Sequence, residues 1–421
     1  MSIYLYSLGG SGENGRNCYL FVGGGVRLLL DCGVKREITE RGVGSYPLLT
    51  RELAASLDGV FLSHAHEDHV GALPFLKALG YSGPVFGSRE TLEAAPQMMR
   101  KWASYVKALG SALPFAEKDL DGFDFRQITP GETEIAGLFC LTGRAGHTAG
   151  SLWILLRAGG KSALYTGDTT DASALLQMDI FPHANAVIMD YAYPGKALDN
   201  AAQKQQLFEK ALTAVQRGGK VLLPLPAKGR GSELYLDFIS RASCPPLFVE
   251  KSILQAVSAL SNQRFWLKPD AAFASDAKDP RVTVIDGEAA RQAALSAPGG
   301  AVFMVTDGML TTKDAVTCLS ALKGDACNLA LLTGHAAQGT PAAELLTTKG
   351  RAALGALMEA EKLTVKVHPD EEDALRFLAS IQPDKALFFH AEKENCVSLL
   401  TKAATLSVQA KCALFPDGIE V

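Results

Sequence analysis

No run of about eighteen uninterrupted apolar residues, the length a membrane-crossing helix requires, occurs in this chain. The opening MSIYLYSLGGSGENG lacks a basic stretch, an apolar core and a small-residue cleavage site. These two absences predict neither secretion nor a membrane span. Paired CxxC cysteines are also missing. Cys18, Cys32, Cys140, Cys244, Cys318, Cys327, Cys396 and Cys412 stand singly in apolar surroundings, which predicts buried thiols in a reducing compartment and a cytoplasmic protein. Nor is there an excess of cations: 41 Lys and Arg face 45 Asp and Glu, for a net charge of −4. The whole chain therefore does not attract a polyanion, although a local basic groove or bound metal ions would not show in that sum. Low-complexity segments, internal repeats and an obvious linker are absent too.

What is present is an ordinary globular composition, 48% hydrophobic and 20% charged, over 421 residues. That length exceeds what one core usually accommodates and predicts two or more domains. The first 65 residues read as strands joined by glycine-rich turns: SIYLYSLGG, NCYLFVGG, VRLLLDCG and GVFLSHAH. Helical patterns such as VGALPFLKALG and RETLEAAPQMMRKWASYVKAL then interleave with the strand patterns SLWILLR, SALYTGD and AVIMDYAYPG, an α/β texture. Beyond about Asn200, helices alternate with short apolar runs, VLLPLP, AVFMVTDG and NLALLTG, as expected of a parallel sheet buried on both faces. The last stretch predicts strand LTVKVH, helix DEEDALRFLASI, strand KALFFHAE, helix NCVSLLTKAATL and strand CALFPDGIEV.

Three of the chain's eight histidines fall in one short stretch, VFLSHAHEDHVG: His64, His66 and His69, with Glu67 and Asp68 among them. In an extended segment residues two apart share a side, so His64 and His66 face one point, while the following turn can bring Asp68 and His69 to a second point nearby. Imidazole and carboxylate are ligands that divalent ions such as Zn²⁺ favour. Compatible groups recur at later strand ends: His147 in RAGHTAGS, Asp168 in LYTGDTTD and His390 in ALFFHAE. Together they compose a plausible two-metal set.

The order HxHxDH, GHT and TGD, with Asp31 in LLLDCG before them, resembles the metallo-β-lactamase superfamily over residues 1–195. The later segments LPLPAKGRGSEL, TGHAAQGTPAAELL and VHPDEEDALRFLASIQPDKALFFHAE resemble its β-CASP branch of RNA-processing nucleases, and LGGSGENGRN is similar to the start of bacterial ribonuclease J. The resemblance implies an αββα sandwich with an inserted parallel-sheet β-CASP domain: residues 1–195 the first part, 196–350 the insertion, 351–421 the return. It implies that His64, His66 and His147 hold one ion, that Asp68, His69 and His390 hold the other, and that Asp168 bridges them. Asp31 would fix an imidazole or a loop. Asp190 and His368 match the first two cap motifs, and His390 matches the third, where a histidine is associated with RNA rather than DNA. Departures are VHPD and FHAE within those motifs, and His335 where the family has tyrosine.

The implied activity is hydrolysis of single-stranded RNA, in a groove between the two domains, by a metal-dependent ribonuclease. Two ions sharing a water lower its pKa for in-line attack on a phosphodiester, and His368 would protonate the leaving oxygen. The ions would be Zn²⁺, with Mn²⁺ the alternative. Gly229 and Arg230 sit where a strand turns into a helix and either hold a phosphate or, through an Arg230–Glu233 pair, serve structure only. Gly339 and Thr340 either form a phosphate-binding helix start or supply an N-cap. RNA is the expected partner, a membrane is not, and a homodimer is compatible. Two other readings compete: hydrolysis of a small ester, thioester or lactam, against which the cap motifs argue, and a non-catalytic RNA-processing subunit, against which seven filled ligand positions argue.

Overall fold

The computed structural model describes residues 2–39, 42–271, 273, 279–413 and 415–421. The chain divides into two compact units. The first comprises the described residues of Met1–Asp171, Gln177–Ala197 and His368–Val421; the second comprises Ala172–Leu176 and Leu198–Val367.

Two seven-stranded sheets build the first unit. One runs in the order Phe415–Glu420, Tyr4–Gly9, Cys18–Gly23, Val26–Leu30, Gly59–Phe61, Pro84–Gly87, Asp124–Gln127. The other runs Gln409–Lys411, Lys385–Phe389, Ala186–Asp190, Lys161–Tyr165, Leu152–Ala158, Leu138–Arg144, Gly131–Ile135. Strands that are apolar at every position supply both faces of each sheet, because alternate side chains point opposite ways. Cys18 and Leu20 belong to the core shared with Leu92, Met99 and Trp102 of helix Arg89–Ala108. Tyr19 turns the other way, and its ring packs, tilted, with its centroid 5.5 Å from that of Tyr165 and 5.9 Å from that of Phe389 of the second sheet. Leu164, Val187 and Phe388 face Phe377, Leu378 and Leu399 of helices Glu371–Ile381 and Val397–Thr405. The result is the αββα sandwich. Helices Arg89–Ala108 and Glu371–Ile381 each start on a side-chain cap: Ser88 Oγ accepts from Thr91 N (3.1 Å), and Asp370 Oδ1 accepts from Asp373 N (3.0 Å).

The second unit is a six-stranded, wholly parallel sheet in the order Val282–Ile285, Leu247–Glu250, Ala301–Val305, Lys220–Pro224, Leu329–Leu332, Glu359–Lys362. Its core gathers Leu222, Phe303, Val305, Leu319, Leu332 and Met358.

Several expectations need correction. The return to the first unit comes at His368, not 351, because Glu359–Lys362 pairs in parallel with Leu329–Leu332 and so belongs to the second sheet. LTVKVH is not a strand: Leu363 N and Val365 N still bond Leu332 O (2.9 Å) and Thr333 O (3.0 Å), but the regular ladder ends at Lys362. The true edge strand reads EAEK, too polar to carry an apolar signal. A hairpin of Lys35–Thr39 with Gly42–Ser45 and a helix Arg51–Ser56 were not foreseen. Of the eight cysteines, Cys396 and Cys412 form a disulfide, brought to a Cα separation of 6.4 Å by the parallel pairing of Lys385–Phe389 with Gln409–Lys411. Cys327 is exposed and the other five are buried thiols. Among the described residues, no helix is long and apolar enough to cross a membrane.

Candidate metal centre

Most of the first unit's chemistry-bearing residues lie at or just after strand ends along one edge of the sandwich, His368 being the exception. Asp31 follows Val26–Leu30, the HAHEDH stretch follows Gly59–Phe61, His147 follows Leu138–Arg144, Asp168 follows Lys161–Tyr165, Asp190 ends Ala186–Asp190 and His390 follows Lys385–Phe389. The parallel pairing that sets Asp190 opposite Phe389 brings a histidine 200 residues further along the chain to the same edge. The HAHEDH backbone is held in place by main-chain bonds from Asn17 N to Asp68 O (2.9 Å) and from Cys32 N to His69 O (2.7 Å). Gly33 permits this approach, since a Cβ there would overlap the Asp68 carbonyl.

Three sets of ligand atoms converge, each within 4.8 Å: His64, His66, His147 and Asp168; Asp68, His69 and His390; and Asp168, Asp190, His368 and His390. Asp168 ties the first two sets together, with Oδ2 at 3.4 Å from His64 Nε2 and Oδ1 at 3.0 Å from His69 Nε2. The third set is better described as a hydrogen-bond network. Asp190 Oδ2 faces His368 Nδ1 (2.8 Å) and accepts from Thr169 N (3.1 Å), while Oδ1 faces His390 Nδ1 (3.2 Å). Its oxygens are already engaged.

Carboxylates behind the cluster determine which ring nitrogen His69 and His390 present. Asp31, fully buried, accepts from His69 Nδ1 (2.6 Å), Ser63 N (2.7 Å), Ser63 Oγ (2.6 Å) and Tyr165 OH (2.6 Å). With Nδ1 so held, His69 presents Nε2 to the cluster; Asp190 does the same for His390, whose Nε2 lies 3.0 Å from Asp68 Oδ2. Ser63 Oγ lies 3.1 Å from His64 Nδ1, which leaves His64 Nε2 pointing inward. His64 Nε2 and Asp168 Oδ1 are both buried without a hydrogen-bond partner. Buried polar atoms of that kind, in an imidazole–carboxylate set with ordered outer partners, fit divalent ions.

Electrostatics agree with this view. Burial alone would raise the Asp168 and Asp68 carboxyls, yet both are held well below the usual range, Asp168 by His390, His69 and His64, and Asp68 by His69 and His390. Burial likewise disfavours charge on His69 and His390, but the surrounding carboxylates, Asp168 foremost, push both well above the ordinary histidine value. His147 is pushed well below by burial and by His368, and His66 to about 3 by desolvation and by His64. The carboxylates thus favour positive charge at His69 and His390, while burial and the neighbouring imidazoles disfavour it at His66 and His147.

Asn17 and Tyr165 were missing from the sequence-based candidate set. Asn17 closes the LGGSGENGRN stretch, whose likeness to the ribonuclease J start is the signal that could have singled it out; Tyr165 looks like one more apolar strand residue. The candidates Gly229, Arg230, Gly339 and Thr340 lie in the second unit, apart from the cluster in the division of the chain. Gly229, at φ 63°, opens helix Arg230–Ser240, and Arg230 Nε donates to Val365 O (2.9 Å). Glu233 does not take Arg230; it pairs with Lys204 and accepts from Ser173 Oγ (2.8 Å). Thr340 is the N-cap of Pro341–Leu345, its Oγ1 accepting from Ala343 N (3.4 Å).

Residues 11–219 match the metallo-beta-lactamase superfamily model. The chain is 25% identical to transcription termination factor FttA of Methanocaldococcus jannaschii, over 93% of this chain and 67% of that protein. It is 24% identical to Integrator complex subunit 11 of Danio rerio, over 95% and 71%, and 26% identical to a ribonuclease of Thermus thermophilus, over 99% and 100%. In fold it resembles a crystal structure of a protein of unknown function from Enterococcus faecalis, with a TM-score of 0.61 at 13% identity, covering 94% of this chain and 96% of that one. With that match, that sandwich and that edge of imidazoles and carboxylates, the chain contains a metallo-β-lactamase superfamily domain with a site suited to divalent metal ions.

Proposed function

We propose that this protein is a metal-dependent ribonuclease of the β-CASP type that hydrolyses phosphodiester bonds of single-stranded RNA. The observation that carries the reading is the Asp190 carboxylate, which holds two imidazoles at once: His390 inside the ligand set and His368 at its rim. A hydrolase that only needed to bind ions would have no use for the second. The full-length similarity to a ribonuclease, and the similarity to parts of proteins named for transcription termination and the Integrator complex, supports RNA as substrate.

In this reading His64, His66, His147 and Asp168 hold one ion, and Asp68, His69, His390 and Asp168 the other; Zn²⁺ is the ion assigned, with Mn²⁺ the alternative. Bound there, the ions supply Lewis acidity toward water and the phosphodiester. The protein's own groups do the rest. Asp31 and Asp190 keep the ligand rings oriented. His368, with Nδ1 held by Asp190 and its side chain 17% exposed, keeps Nε2 for the substrate. As water adds to phosphorus and releases a proton to solvent, the P–O bond to the departing ribose oxygen breaks, and His368 Nε2–H gives its proton to that oxygen before regaining one from solvent. In the second unit, Gly229 and Arg230 are assigned to phosphate contacts, while Gly339 and Thr340 shape a helix start. A cytoplasmic location is part of this reading.

The test is cleavage of labelled single-stranded RNA and matched DNA, with Zn²⁺ or Mn²⁺ supplied, by the wild type, Asp68→Ala and His368→Ala. RNA loss with the wild type only, and a 10²–10⁴-fold slower rate for His368→Ala at unchanged metal content, is expected. Two bound ions with no RNA cleavage under either metal would refute the assignment and leave small ester, thioester or lactam substrates.

A further inference from the structure

The Asn17 carboxamide is fully buried and lies on the second ligand set. Its Nδ2 is 2.9 Å from His69 Nε2, 3.1 Å from His390 Nε2 and 3.3 Å from Asp68 Oδ2. These two imidazole nitrogens are the ones left for an ion, because Asp31 and Asp190 hold the opposite ring positions. The amide oxygen, in contrast, is buried with no partner and lies against Gly10, where a Cβ would strike both it and the Tyr19 hydroxyl. A primary amide has an oxygen and an NH2 of nearly equal size, so a half-turn about its last bond exchanges them. That half-turn directs Oδ1 at His69 Nε2, His390 Nε2 and Asp68, and sends the NH2 toward the Tyr19 hydroxyl. An oxygen suits a divalent cation there; an N–H dipole opposes it.

We propose that Asn17 is an oxygen ligand of the second ion, its side-chain carbonyl completing the set formed by Asp68, His69, His390 and Asp168. The inference rests on the two-ion reading above. It distinguishes the two positions: the amide of Asn17 faces Asp68, His69 and His390 rather than His64, His66 and His147, and the second site owes part of its affinity to a neutral oxygen that the turn between the first two strands supplies. The Asn17 main chain is independently anchored to this loop through Asp68 O and, by accepting from Gly33 N at 3.0 Å, to the next strand's end, so the side chain is placed with little freedom.

The experiment is a Zn²⁺ titration of the metal-free protein against a chromophoric chelator, with ions counted by native mass spectrometry, for the wild type, Asn17→Ala and Asn17→Asp. Expected are two ions in the wild type, a second-ion affinity 10–100-fold lower in Asn17→Ala with the first ion retained, and a second-ion affinity equal to or above wild type in Asn17→Asp, which keeps the oxygen and loses the NH2. If the amide serves only as a donor to Asp68, Asn17→Asp binds the second ion more weakly than the wild type, which overturns the proposal. An unchanged second affinity in Asn17→Ala overturns it as well. A wild type that takes a single ion overturns the two-ion reading itself, whereas two ions without RNA cleavage refute the nuclease assignment and leave Asn17 standing.

Discussion

Asp31→Asn is the substitution that asks most of the site's outer architecture. It keeps shape and volume but replaces one carboxylate oxygen with NH2. The native carboxylate receives four donors, Ser63 N on Oδ1 and Ser63 Oγ, His69 Nδ1 and Tyr165 OH on Oδ2. The amide must point its NH2 at one side or the other, and the less crowded choice still sets it against the Ser63 N–H. At least one hydrogen bond to a charged acceptor is lost and a buried donor stranded, about 2–3 kcal/mol. At about 2–4 °C per kcal/mol for a unit of this size, the metal-free protein should melt roughly 4–12 °C lower. Because His69 loses its ionised partner, the second ion should bind 10–100-fold more weakly. Differential scanning calorimetry and Zn²⁺ titration measure the two effects. A variant with wild-type metal affinity would show that Asp31 does not orient His69, whatever its melting temperature.

Other outcomes follow from the same geometry. Gly33→Ala places a Cβ on the Asp68 carbonyl and should destabilise by about 1–3 kcal/mol or more and weaken metal binding, read by denaturant melts and ion counting; a neutral result would contradict the tight packing of that loop. Glu371, whose carboxyl faces a burial penalty but is held below its ordinary range by Lys402, Ser398 and Tyr191, should stabilise the first unit above the unfolded carboxyl value of about 4.3 and lose that contribution as pH falls through the lower folded value. Glu371→Gln should therefore be about 1–3 kcal/mol less stable at pH 7 and show a flatter acid limb; parallel urea melts across pH would expose an error. Ion binding must displace protons from His69 and His390, which the carboxylates hold above the ordinary histidine value, so Zn²⁺ affinity should rise with pH and proton release should appear in titration calorimetry run in two buffers. Stripping the ions with a chelator should lower the melting temperature, since ligand at a hundredfold excess over its Kd contributes about 2.7 kcal/mol per site.

Much of the site could be read along the chain because its groups sit at strand ends, and strand ends are visible as apolar runs that stop at Gly, Thr or His. The HAHEDH stretch, His147, Asp168, Asp190 and His390 all carry that signature, and the helices at 89–108, 200–216 and 371–381 announce themselves by apolar spacing and caps. Where local pattern is silent, the sequence is silent too. Glu359–Lys362 is an edge strand with no apolar face, and the Cys396–Cys412 pair is sixteen residues apart with no motif.

What the residues themselves determine is the chemistry: which donors exist, their order, and the sheets that carry them. What only the tertiary structure decides is which nitrogen each imidazole offers and what stands behind it. His390 meets Asp190 because Lys385–Phe389 inserts beside Ala186–Asp190; Tyr165 meets Asp31 across 134 positions; and Asn17 reaches His69 and His390 from a turn near the start of the chain. Hydrogen bonds act over about 3 Å of space and are indifferent to distance along the chain, so no periodicity or spacing records them until the sandwich has closed.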